Sequence, residues 1–174
     1  MKAQTIEYLA LNKTPRSAIL ITSPFTGKVI PLQEHPEPIF RFGILGPGIT
    51  VKLSSHKILA PFDGTLLQVK NAGTEFILQA KNGLKVLINL TITGSQSITH
   101  THIAQLNGSE ISKGQRLAYF DLRELETPML ASLILLNGHN LGTFHYSHSH
   151  VNADVDTLLT ISKKNEICDH SIRY

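Results

Sequence analysis

Two stretches of this chain are near copies of each other, and that repetition limits the possible folds more than any other feature. Ser23-Pro24-Phe25-Thr26-Gly27-Lys28-Val29-Ile30 is matched 37 residues later by Ala60-Pro61-Phe62-Asp63-Gly64-Thr65-Leu66-Leu67. Each copy is a small residue, a proline, a phenylalanine, a polar residue and a glycine, followed by an apolar run. Proline restricts φ and glycine accepts conformations closed to other residues, so each unit reads as a tight turn that launches a β-strand. Duplicated turn-strand units predict an all-β scaffold. What the scaffold does must be argued from the residues placed on it.

The rest of the chain keeps this pattern. Strands are predicted at residues 19–22, 28–32, 49–53, 65–70, 74–80, 84–93 and 116–122, separated by turn signals such as Gly46-Pro47-Gly48, Asn71-Ala72-Gly73, Lys81-Asn82-Gly83 and Asn107-Gly108. Many short strands at this spacing indicate an antiparallel sandwich or barrel. Residues 123–126 read as a short helical piece. The apolar run Met129 to Leu136 fits a buried strand or a helix equally well, because periodicity does not separate the two. Residues 1–18 read as an N-terminal arm, 19–164 as one β domain and 165–174 as a C-terminal tail.

Composition narrows the class. The chain has 174 residues and is 41% hydrophobic, as expected of one globular domain. No apolar run approaches the roughly 20 residues needed to cross a bilayer, and no secretory leader is evident, so a cytoplasmic protein without membrane insertion is expected. The single Cys168 has no partner within the chain and fits a reducing compartment. Net charge is +3, but the 16 Lys and Arg residues are dispersed. Nucleic-acid binding requires clustered charge and a groove-reading element, and neither is evident.

Taken together, Ser23 to Gly27, Pro36-Glu37-Pro38-Ile39-Phe40, Gly46-Pro47-Gly48-Ile49, Ala60 to Gly64, Gly83 to Ile88, Gly114-Gln115, Phe120-Asp121-Leu122 and Thr127-Pro128 resemble the glucose-type enzyme IIA (EIIA) domains of the bacterial sugar phosphotransferase system. The resemblance runs over residues 20–164 and implies a duplicated-motif antiparallel β-sandwich or barrel of the glucose permease IIA type. It also implies phosphoryl transfer through two neighbouring histidines. At the acceptor position this chain has Asn89, followed by Thr91 and Thr93 where the family pattern has glycine and aspartate. At the supporting position it has Thr74. Phosphohistidine formation needs an unprotonated ring nitrogen, which an imidazole of pKa about 6.5 supplies and a carboxamide does not. The resemblance therefore implies a degenerate site with no cofactor and no catalytic residue. A protein-binding or regulatory role follows, with phosphotransferase or transport proteins as partners. Phe40, Leu87 and Asn89 are expected to form the partner-binding face, with Lys85 at its rim, while Leu90 and Ile92 point into the core.

Other readings stay open at this level. His100 or His102 could carry the phosphoryl group in a working phosphocarrier. His145, His148 and His150 are weak candidates for a metal site, although loop histidines are usually solvated and a specific zinc site takes three or four ligands. His148-Ser149-His150 with His102 also resembles elements of LytM-type zinc endopeptidases. Their first ligand pair has no counterpart at Gly46 to Thr50, which argues against peptidase chemistry. Asp63 is accounted for by turn hydrogen bonding.

Overall fold

The computed structural model describes residues 6–138 and 141–163. In chain order the elements are β1 (Ile6–Tyr8), β2 (Ile19–Thr22), β3 (Gly27–Pro31), α1 (Pro38–Arg41), β4 (Gly48–Leu53), β5 (Lys57–Leu59), β6 (Gly64–Lys70), β7 (Glu75–Ala80) and β8 (Lys85–Thr91). They continue with β9 (Thr101–Ile103), β10 (Glu110–Ile111), β11 (Arg116–Phe120), β12 (Leu130–Leu135), β13 (Thr143–Tyr146), β14 (His150–Val151) and β15 (Thr157–Ser162). The all-β expectation holds. The strands form open sheets, not a closed barrel: an eight-stranded sheet in the order β10-β6-β7-β8-β12-β4-β3-β14, a four-stranded sheet β1-β13-β15-β2 and a three-stranded sheet β5-β11-β9. Among the described residues no helix is long and apolar enough to cross a membrane.

The two sequence repeats open equivalent strands, β3 and β6, and they do so for the same steric reason. A Cβ on Gly27 would lie 1.9 Å from the Lys52 carbonyl oxygen, and one on Gly64 would lie 2.0 Å from that of Gln79. Only glycine lets the neighbouring strand come this close. The first turn also meets the end of β5, just before the second, since the Leu59 amide donates to the Pro24 carbonyl at 3.0 Å. Asp63 reaches further than its own turn, accepting from the Lys113 amide at 2.8 Å.

The main core lies between the eight-stranded sheet and the other two. Phe76, Leu78, Val86, Ile88, Leu133 and Val51 from the large sheet pack with Ile58, Leu117 and Phe120 of the three-stranded sheet and with Ile21, Phe144 and Leu159 of the four-stranded one. The apolar run after Met129 is strand β12, with every residue buried, because β12 sits in the middle of the large sheet and is covered on both faces. The expected helical piece at 123–126 is instead a turn. Within the expected N-terminal arm, Ile6–Tyr8 is a strand of the domain, paired in parallel with β13. The tail from residue 165, with Cys168, lies outside the described residues.

Part of the second face of the large sheet is covered by a cap, the segment between β3 and β4. Leu32–Glu34 make a short 3-10 turn, and the prolines around Glu37 hold the next residues extended before α1 begins with Pro38 in its first turn. Gly43 ends the helix at φ +62°, its amide bonded to the Phe40 carbonyl at 2.8 Å. This single turn directs Phe40 inward, where it forms a small separate core with Leu32, Leu87 and Ile134.

Candidate functional site

β7 and β8 pair so that Glu75 is the direct cross-strand neighbour of Asn89, and on the other side of β8 Asn89 stands opposite Ser132 of β12, itself opposite Thr50 of β4. Strand alternation gives these four residues a common face. Their row is polar, whereas the next row on that face, Ile77, Leu87 and Ile134, belongs to the small core under the cap. Thr50 and Ser132 are buried and bond each other at 2.8 Å. Asn89 turns the other way, its Nδ2 donating to Glu75 Oε1 at 3.3 Å.

Thr91, two residues along β8 and on the same face, continues the chain of contacts. Its hydroxyl lies 2.8 Å from Asn89 Oδ1 and 3.3 Å from Glu37 Oε1 on the cap. A hydroxyl has one proton, so the two acceptors share it, the shorter contact favouring Asn89. The result is a hydrogen-bonded sequence, Glu75 to Asn89 to Thr91 to Glu37, with a carboxylate at each end. Each carboxylate would repel a doubly charged phosphoryl group brought to Asn89.

Thr74 contributes through its backbone, which accepts from the Leu90 amide at 2.8 Å, while its hydroxyl donates to the Asn71 carbonyl at 2.9 Å. Glu75, not Thr74, therefore faces Asn89. Thr93 bonds Thr127 at 2.9 Å on an adjoining loop. Phe40 and Leu87 do share one patch, as alternation implied, but as exposed anchors they require correction. They are only 3% and 6% exposed, because the cap folds back and seals them against each other. Three apolar side chains of the cap itself stay open to solvent, Ile39, Phe42 and Ile44, at 40%, 61% and 67% exposure. Arg41 lies over the Phe42 ring, 5.2 Å from its centroid.

The other histidines are placed elsewhere. His100 and His102 sit at β9 in the three-stranded sheet, His102 opposite Tyr119 of β11. His145 is on β13 in the four-stranded sheet, and His150 is on β14 at the edge of the large sheet, opposite Lys28. Among the described residues no three histidine, cysteine, aspartate or glutamate side chains gather as a metal-ligand group. One histidine that the motifs did not single out does adjoin the site. His35 is 1% exposed, its Nδ1 accepts the Glu37 amide at 3.1 Å, and its ring packs on Phe40 with centroids 4.7 Å apart. Its Nε2 is buried and has no hydrogen-bond partner among the described residues. Burial lowers the pKa of this imidazole, an effect that the nearby Glu37 carboxylate partly opposes. The signals for Glu75, Thr91 and Glu37 were alternation around Asn89 and the Pro-Glu-Pro motif. Nothing in the sequence marked His35 as buried.

This open all-β arrangement of sheets is the glucose permease IIA fold. The chain belongs to the phosphoenolpyruvate-dependent sugar phosphotransferase system EIIA 1 family, whose model matches residues 19–140. It is 28% identical over 153 residues to the mannose-specific EIIBCA component of Corynebacterium glutamicum, covering 84% of this chain but 22% of that longer protein. It is also 28% identical over 127 residues to the glucose-specific EIIA component of Oceanobacillus iheyensis, covering 71% of this chain and 77% of the relative. The glucose permease IIA of Mycoplasma capricolum has the same fold, with a TM-score of 0.65 at 17% identity, covering 83% of this chain and 96% of that one.

Proposed function

We propose that this EIIA-type domain does not carry a phosphoryl group on a histidine and acts in the cytoplasm as a regulatory docking module for phosphotransferase-system or transport proteins. The observation that carries the reading is the hydrogen-bonded sequence from Glu75 through Asn89 and Thr91 to Glu37, which contains no imidazole and is bounded by carboxylates. An amide nitrogen whose lone pair is delocalised is no nucleophile toward phosphorus. Docking is supported by Ile39, Phe42 and Ile44, three apolar side chains that the cap leaves exposed on one short segment.

The direct test is incubation of the purified chain with phosphoenolpyruvate and the general phosphotransferase proteins, with a glucose-specific EIIA as positive control. No acid-labile phosphohistidine is expected on this chain. Stoichiometric label on any of its histidines, His100 and His102 included, would overturn the reading. Asn89→His alone is expected to remain unlabelled, because Thr74, Thr93 and the flanking carboxylates stay as they are. Docking is tested by capture from the native host, where Phe42→Asp is expected to lose specific phosphotransferase or transport partners that wild type retains.

A further inference from the structure

The cap carries both Glu37 and the exposed residues Ile39, Phe42 and Ile44, yet it is held down by few groups. Its small core has four buried members, Leu32, Phe40, Leu87 and Ile134. Beside Phe40 sits His35, whose Nδ1 can accept the Glu37 amide only while that nitrogen has no proton. With the Glu37 amide as donor, the neutral ring carries its proton on Nε2, which has no hydrogen-bond partner among the described residues. A second proton would go to Nδ1, convert the acceptor into a donor facing another donor, and place a full charge on a buried residue.

We propose that His35 is an acid-sensitive pin of the cap: proton uptake by its imidazole breaks the Glu37 contact and frees the segment that bears Ile39, Phe42 and Ile44. The link to partner docking rests on the function proposed above. Charged groups on the elements packed with His35 are few. Glu34, Glu37 and Arg41 lie on the cap itself, Lys52 on β4, Glu75 on β7 and Lys85 on β8, and β12 has none. Of these, Glu37 favours the charged ring, and desolvation outweighs it. Because the closed cap lowers the pKa below the ordinary 6.5, the open cap binds the proton more readily. The stabilising contribution of neutral His35 is therefore complete above the ordinary value and is lost as pH falls toward the closed-state value. Such a device would let an EIIA-type surface respond to acid in place of phosphorylation.

The test is NMR of the intact chain between about pH 7.5 and about pH 5, following the His35 ring and the amide-exchange protection of Glu37, Phe40 and Arg41. In wild type the cap-opening equilibrium is expected to rise by up to about tenfold per pH unit within the titration window, the limit for one linked proton. Amides of β8 should not follow it. His35→Gln, which keeps an acceptor but does not titrate, is expected to abolish the dependence. An identical dependence in His35→Gln, or a flat cap in wild type while the His35 ring titrates, would overturn the proposal. If His35→Gln fails to fold, wild type still decides, because ring and cap amides must then share one midpoint. Exchange is read without a partner, so retention of partners by Phe42→Asp would remove the docking reading and leave the pin standing. A flat cap would do the reverse.

Discussion

Ile88 and Leu87 are neighbours on β8, and they are buried by different means. Ile88 is shielded by the other two sheets, which close the main core with residues from many strands. Leu87 is shielded by one short segment, whose Leu32 and Phe40 pack in the same small core. The first arrangement opens only if the sandwich comes apart, while the second needs only the cap to lift, so the two faces of one strand should differ in local stability. Sites that move or exchange partners are drawn from the less stable regions of a fold. The polar row at Asn89 lies on the cap side, where Glu37 ends the hydrogen-bonded sequence that begins at Glu75.

The strongest way to break this comparison is to hollow out both sides. Ile88→Ala should lower global stability by about 3 kcal/mol or more, read as a shift of the urea midpoint with the slope unchanged. Phe40→Ala removes a larger side chain, yet it should cost less, about 2 kcal/mol, because local opening of the cap limits the loss. Its signature is distinct: exchange protection should vanish for Arg41 and Phe42 and persist for β8 and β12. Equal global losses in the two variants would mean that cap and sandwich unfold as one unit. The smallest effect on stability is expected from Phe42→Asp, within about 0.5 kcal/mol, since that side chain is already in water. A large destabilisation there would show that Phe42 braces the cap, and any loss of partner binding could no longer be assigned to a docking contact.

Much of this architecture was legible in the chain because it depends on local rules. The paired Pro-Phe-x-Gly turns announced β3 and β6, and the glycines at their ends have no steric substitute. Alternation along β8 correctly put Leu87 with Asn89 on one face and Leu90 on the core face. The absence of an imidazole at Asn89 and Thr74 needs no coordinates at all. The strand at β12 was ambiguous for a physical reason: residues covered on both faces lose the alternation that identifies a strand. Other features belong to contacts between segments distant in the chain. Residues 32–45 fold over the large sheet, and this alone turned Phe40 and Leu87 from expected surface anchors into a sealed core and left Ile39, Phe42 and Ile44 outside. The same closure brought Glu37 to Thr91 across 54 residues and buried His35. Sequence by itself determined much of the strand and turn framework and the presence of a carboxamide at Asn89 and a hydroxyl at Thr74, because both reside in single residues and their immediate neighbours. Only the tertiary structure decided which apolar side chains face water and which acids flank Asn89, because burial and register are set by the partner segment that lands on each face.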